Sequence, residues 1–190
     1  MKMDITIGSR VEPERLSAHV ALQLHPARFP VPWEQCGATA NFAASWFLDS
    51  SAAAQRLGDD PILHSQWRGS VSYVFNELLE NALKFHVGDD PIDLLLGVEE
   101  EQLAILVRNT ATSEQAAALP PRVEPIVHGD PTELLIARVE ANVDGDASSS
   151  GLGFLTMRTD YDVTLGWRLQ TTPADDGRVW VWTSAWLPIA

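Results

Sequence analysis

The chain has 190 residues, of which 26 are acidic and 13 are basic, so its formal net charge is −13 at pH 7. A surface of that sign repels nucleic acid and anionic lipid, so neither is expected as a main partner, whereas proteins, small cations and tightly held nucleotides suit the charge. Cys36 is the only cysteine, which excludes an intramolecular disulfide and a zinc site built on cysteines.

The hydrophobic content of 45% is enough for one good-sized core, so residues 1–190 are expected to form one domain. Within it, residues 1–32 are expected to hold N-terminal strands and a proline-rich lead-in, and residues 33–190 the main body. No apolar run approaches the length of a membrane span, and a cytoplasmic location is therefore expected.

Short segments with alternating apolar residues open the chain and predict two strands, at 4–8 and 19–24. Prolines then interrupt regular structure, and an alanine-rich stretch with aromatic residues at helical spacing predicts a first long helix over about 33–55. A second long helix is predicted from about Leu63 to Val87, because Gly88-Asp89-Asp90-Pro91 is a strong stop signal.

The second half of the chain alternates between strand and helix patterns. It begins with a predicted hairpin, whose strands cover 92–98 and 103–109. The later predicted elements are a short helix over 112–119 that ends at Pro120-Pro121, a helix over 131–142, a flexible stretch at 144–153, a helix over 154–161 and strands over 163–171 and 178–187. This order predicts an α/β fold, a two-layer sandwich in which helices cover one face of a mixed, mostly antiparallel sheet.

The last strand is apolar on both faces. Trp180, Trp182 and Trp186 alternate with Val179 and Val181 along it. Such a pattern predicts a strand in the middle of the sheet, or a strand of which one face is covered by a partner.

The second helix carries the first candidate for chemistry. Read at about 100° per residue, it has a polar stripe that includes Glu77, Asn81 and Lys84. Glu77 and Asn81 are four residues apart, so their carboxylate and amide lie one above the other. Such a pair can hold a hydrated Mg2+ ion or orient a water beside a phosphate chain, and it is equally compatible with a plain solvated helix face.

A glycine turn far downstream is the second candidate. Gly151 and Gly153 lie in a serine-rich stretch just before a predicted helix. Glycines there would let backbone N–H groups approach a phosphate at the positive N-terminus of that helix. Stretches of this composition are also ordinary loops, so these glycines indicate a phosphate site only in combination with the polar stripe of the second helix.

Together the two motifs resemble those of a known family. Glu77-Leu-Leu-Glu-Asn81-Ala-Leu-Lys84-Phe resembles the N box of the GHKL (Bergerat-fold) ATP-binding proteins, which include histidine kinases, gyrase-type ATPases and anti-sigma kinases of the RsbW type. Gly151-Leu-Gly153-Phe-Leu resembles their G2 box, about seventy residues further on. The resemblance covers 33–188 and extends to short stand-alone regulators of this family.

The resemblance implies ATP and Mg2+ as cofactors and assigns roles to residues. Asn81 would coordinate Mg2+ that bridges the phosphates, and Glu77 would activate a water or an acceptor hydroxyl. Gly151 and Gly153 would cradle the phosphates. By the same resemblance, Thr183 would touch the adenine region through water. Lys84 could meet a phosphate, although its spacing from Glu80 fits a solvated ion pair equally well.

The sequence departs from the family at the G1 box. Where the family has Asp-x-Gly-x-Gly after the second hairpin strand, this chain has Val107-Arg108-Asn109-Thr110-Ala111. Asn109 can accept a hydrogen bond from an adenine amino group, but without the charge of an aspartate. The loss of one charge-assisted hydrogen bond costs about 1.5–3 kcal/mol, which is a tenfold to hundredfold loss of affinity.

Two hypotheses of function follow. The first is a small bacterial-type regulator that binds Mg-ATP and acts on a protein partner, through ATP occupancy or as a serine/threonine kinase. By family resemblance that partner would be a STAS-domain antagonist or a regulator related to sigma factors. The resemblance also makes a homodimer plausible. The second hypothesis is a non-enzymatic interaction module that keeps the fold and has lost ATP binding.

Overall fold

The computed structural model describes residues 3–10, 12–16, 18–28, 34–50, 60–99, 101–143, 151–174 and 176–189. The elements in chain order are β1 (Asp4–Gly8), a 3-10 turn (Pro13–Arg15), β2 (Ala18–Leu24), α1 (Glu34–Ser50), α2 (Pro61–Phe85), β3 (Ile92–Glu99), β4 (Gln102–Thr112), α3 (Ser113–Ala118), α4 (Pro120–His128), α5 (Pro131–Val143), α6 (Leu152–Asp160), β5 (Thr164–Thr171) and β6 (Arg178–Pro188).

These strands form one six-stranded sheet in the order β1-β5-β6-β4-β3-β2. Each neighbouring pair is antiparallel, so the described sheet contains no parallel pair. Helices pack on its inner face and share one large buried core with it. The predicted two-layer α/β sandwich is therefore confirmed, and its sheet is more uniformly antiparallel than the sequence indicates.

The long helix α2 is the main helical contribution to the core. Its N-terminus is capped by Asp60, whose side chain accepts hydrogen bonds from the backbone N–H groups of Ile62 and Leu63 at 2.8 and 3.3 Å. A cap of this kind stabilises a helix by about 1 kcal/mol. Its apolar stripe, which begins at Trp67 and ends at Ala82, is buried against α1 and the sheet.

Strands β1 and β2 lie at opposite edges of the sheet. Between them in the chain, Leu16 lies on the outer face, in a small buried cluster with Ala104, Leu106 and Trp186. Strand β6 lies between β5 and β4, so the prediction of a central position is confirmed.

One difference from the sequence prediction concerns a helix. The short helix predicted over 112–119 is confirmed as α3, which ends at Ala118, but α4 then begins at Pro120 and runs to His128, where the sequence predicts no element. A proline is tolerated in the first turn of a helix, where its missing N–H would have no intrahelical partner. Helix α1 is described from Glu34 to Ser50, and the remainder of its predicted span lies outside the described residues, as does the stretch 144–150. Among the described residues, no helix combines the length and hydropathy that a membrane crossing requires.

Candidate functional site

A cleft of about 260 Å³ opens between the second half of α2, helices α3 and α4, the start of α6 and the inner face of the sheet. Its walls are mostly apolar and include Ala116, Leu119, Phe154, Trp167 and Val181. The rings of Phe154 and Trp167 meet edge to face, with centroids 5.2 Å apart. A narrow apolar slot of this size suits a flat aromatic ligand.

Asn81 faces this cleft from α2. Its amide nitrogen donates a hydrogen bond to the backbone carbonyl oxygen of Glu77, one turn earlier, at 2.7 Å. That bond fixes the orientation of the amide, so the side-chain oxygen is the group that Asn81 can present to a ligand.

Asn109 faces the cleft from β4, opposite Val181 of β6. The residue is 5% exposed, and its amide nitrogen donates to the carbonyl oxygen of Thr110 at 3.2 Å. Its side-chain oxygen is therefore positioned as an acceptor for a ligand donor, such as an exocyclic amino group. Thr183 adds a hydroxyl from β6 on the same side of the cleft.

Glu77 lies at the border of the cleft rather than inside it. Its side chain lines a separate, shallow groove between α1 and α2, and its carboxylate lies directly over Gly153 at the start of α6. A methyl group placed on Gly153 would be 1.9 Å from Oε2 of Glu77. Burial raises the pKa of the Glu77 carboxyl, and the neighbouring charge of Glu80 raises it further.

The glycine turn has the geometry that glycine permits. Gly151 caps α6 with a left-handed backbone conformation, φ +108°, and a side chain there would be strained. The side chain of Arg138, from α5, lies close to Gly151, since a methyl group there would be 3.3 Å from a guanidinium nitrogen. Lys84 is exposed beside the ring of Phe85 and does not line the cleft.

Several cleft residues are absent from the sequence prediction. Glu114, Gln115 and Arg122 line the cleft from α3 and α4. Among the described lining residues, Glu114 is the only acid and Arg122 the only base. One signal for this wall is present in the sequence, since Thr112 and Gln115 form a capping box that starts α3.

The arrangement favours a ligand with a flat polar ring over a compact ion. The described residues contain no group of three or more histidine, cysteine or acidic side chains that could hold a metal ion by themselves. The one oxygen of Asn81 fits a Mg2+ ion that takes its other ligands from water and phosphates. Asn81 by itself is therefore not a complete metal site.

Exchange of Gly153 for alanine tests the contact with Glu77. In the Glu77→Ala background, Gly153→Ala is expected to stabilise the protein by up to about 1 kcal/mol, because alanine is the better helix former. With Glu77 present, the new methyl group must displace the carboxylate, so the gain should shrink or reverse. Urea denaturation of the two single variants and the double variant measures the coupling, expected to exceed about 0.5 kcal/mol. Additive effects would contradict the contact.

Comparisons with known proteins give one structural match. No family model matches the chain, and no curated protein matches it. A solved structure, the SiaB–SiaC complex from Pseudomonas aeruginosa, contains a chain that superposes with a TM-score of 0.60. The superposition covers 91% of each chain at 17% sequence identity. At that identity the likeness shows a shared fold and carries no information about activity.

Proposed function

We propose that this protein is a small regulator that binds Mg-ATP in the cleft and acts on a protein partner. One observation carries the proposal: Asn81, Asn109 and Thr183 come from three separate elements and line one narrow apolar cleft. The resemblance described above assigns binding roles to these three residues, and also to Lys84 and to two glycines that do not line the cleft.

The cleft is suited to the base of the nucleotide. Aliphatic and aromatic walls can stack on a purine, and the side-chain oxygen of Asn109 can accept from its amino group. The amide carries no charge, so the affinity is expected to be modest, in the micromolar to millimolar range.

The phosphates would extend past Asn81 toward the start of α6. When bound, Mg2+ would neutralise phosphate charge there, with the side-chain oxygen of Asn81 among its ligands. Glu77, at the border of the cleft, is positioned to accept a proton from a water or an acceptor hydroxyl. Its raised pKa brings this carboxyl closer to the range in which a general base works.

The proposed partner is another protein. The structural neighbour comes from a complex of two proteins, which supports a role in partner binding. By family resemblance the partner would be a STAS-domain antagonist or a regulator related to sigma factors, and the chemistry would be serine/threonine phosphorylation.

A second candidate is an interaction module without nucleotide chemistry. One observation favours it: the carboxylate of Glu77 fills the space in front of Gly153, where a phosphate would approach. A negative charge there opposes phosphate binding unless the side chain turns away.

Calorimetric titration with ATP and Mg2+ separates the two candidates. The first candidate predicts saturable binding of one nucleotide per chain and no binding of Mg2+ alone. An absence of heat with Mg-ATP up to about 5 mM would contradict it and leave the interaction module.

A further inference from the structure

A shallow groove runs between α1 and α2, next to the cleft wall at Asn81. Its volume is about 520 Å³, and it is open along one side. Gly37 of α1 and Gly69 of α2 contribute to its lining. A methyl group on Gly69 would have no atom within 4 Å, so the groove is unfilled at that point.

The groove is acidic. Glu77 and Glu80 both line it, and among its described lining residues no lysine, arginine or histidine is present. The whole chain also carries a net negative charge, which adds to the negative potential in the groove. The groove therefore favours a ligand that carries positive charge.

Hydrogen bonds hold the polar walls of the groove in place. Ser72 donates to the side-chain oxygen of Asn41 at 2.7 Å, which ties the two helices together. The amide nitrogen of Asn76 donates to Glu80 at 2.7 Å. Walls that are already ordered lower the entropic cost of docking a segment against them.

Glu77 joins the groove to the cleft. It lines the groove, whereas Asn81, one helical turn further on, lines the cleft. Side chains spaced in this way are about 5–6 Å apart on a helix. A segment that lies in the groove would thus place one of its own side chains within reach of the end of a ligand held at Asn81.

We propose that the groove between α1 and α2 is the docking site for a basic segment of the partner protein, with a serine or threonine of that segment at Glu77. This inference rests on the proposed function, in which Glu77 acts on a hydroxyl of the partner. It adds the place of docking and the charge of the docked segment. An acidic or neutral segment would meet repulsion or no attraction in the same groove.

Binding of two labelled peptides tests the proposal. The first peptide carries one serine flanked by lysine and arginine residues, and the second has glutamate at each basic position. Fluorescence anisotropy should show binding of the basic peptide that weakens as salt is raised, and no binding of the acidic one. Equal binding of both peptides, or binding of neither, would overturn the proposal.

Gly69 provides the site-specific variants. Gly69→Glu and Gly69→Lys differ in charge and little in size, and both should fold because the position is open and a non-glycine residue favours the helix. Affinity for the basic peptide should rise about threefold with glutamate and fall about threefold with lysine. Gly69→Ala, which adds bulk without charge, should leave it unchanged.

Gln102 provides the matched control for overall charge. It is exposed at the start of β4, in a strand that does not line the groove, so Gln102→Glu and Gln102→Lys change the net charge in the same two directions. If the Gln102 variants change the peptide affinity as much as the Gly69 variants do, the peptide responds to the net charge of the protein and not to the groove. That result would contradict the groove proposal.

Mg-ATP binding distinguishes a failure of the groove proposal from a failure of the proposed function. The Gly69 variants should bind Mg-ATP as the unchanged protein does, since Gly69 is not part of the cleft. If Mg-ATP binds but the charge at position 69 does not change the affinity for the peptide, the groove proposal is contradicted and the nucleotide-site proposal is not. If the peptide responds as expected but no variant binds Mg-ATP, the proposed function is wrong and the basic-peptide site stands.

Discussion

Replacement of Asn81 by alanine is expected to weaken Mg-ATP binding by tenfold to a hundredfold, and adenosine binding by much less. The side-chain oxygen of Asn81 is proposed to contact the metal–phosphate end of the nucleotide, and an interaction with a charged group contributes about 1.5–3 kcal/mol. Adenosine lacks that end. The fold should be preserved, because the one hydrogen bond of this side chain runs to the backbone of its own helix.

Asn109→Leu is the matched variant for the base end of the cleft. It should weaken Mg-ATP and adenosine alike, by about tenfold, since both ligands carry the same amino group. The carbonyl oxygen of Thr110 keeps the N–H of Val87 as a donor at 3.0 Å, so the exchange leaves no buried acceptor unpaired. Calorimetry with both ligands provides four affinities. A loss of adenosine binding in Asn81→Ala as large as the loss of Mg-ATP binding would contradict the proposed orientation of the nucleotide.

Glu77→Gln is expected to slow phosphoryl transfer from ATP to water by about 10²–10⁴-fold, the usual contribution of a general base. Glutamine keeps the size and the polarity of the side chain and loses the ability to take a proton. Nucleotide affinity should not fall, because removal of the carboxylate over Gly153 removes a charge that repels phosphate. Phosphate release measured under saturating Mg-ATP tests this. An unchanged rate would show that Glu77 is not the base.

The same exchange has a pH signature in stability. Because the pKa of Glu77 is higher in the folded than in the unfolded chain, the folded protein favours the protonated carboxyl. The unchanged protein therefore loses stability as pH rises from the unfolded-state pKa through the folded-state pKa. The Glu77→Gln variant should not show this loss of stability, because it has no carboxyl group at this position. Its advantage in thermal stability should be absent well below pH 4.5 and fully present once the pH exceeds the folded-state pKa.

Glu80→Gln is the control for this profile. It removes the neighbouring charge that raises the pKa of Glu77, while the glutamine oxygen can still accept the hydrogen bond from Asn76. The loss of stability with rising pH should therefore become smaller and move to lower pH. A pH profile that is identical in the unchanged protein and in Glu77→Gln would mean that this carboxyl is not perturbed by burial.

The site divides into a part that sequence can predict and a part that it cannot. The relation between Glu77 and Asn81 follows from the helical repeat, which is local. The meeting of Asn109 with Val181 depends on the register between β4 and β6, two strands about seventy residues apart in the chain. Register of that kind is set by packing across the whole sheet, so only the structure reveals it.

Prolines and glycines show why local patterns mislead. Pro120-Pro121 does end α3, as the sequence predicts, but it also starts α4, and the place of Arg122 on the cleft wall was missed for that reason. In the structure, Gly153 has no side chain because the carboxylate of Glu77 occupies the space in front of it. The sequence motif instead attributes this glycine to the close approach of a phosphate. Both explanations require glycine, so the residue type alone cannot separate them.

The most direct test of the central claim locates the nucleotide on the protein. Amide chemical shifts recorded by NMR during titration with Mg-ATP should change in a saturable manner, with the largest changes at Ala82, Ala116, Leu119 and Val181 around the cleft. This pattern is expected at ligand concentrations up to about 5 mM. No saturable change over that range, or changes centred on the outer face of the sheet around Trp180 and Trp182, would contradict it.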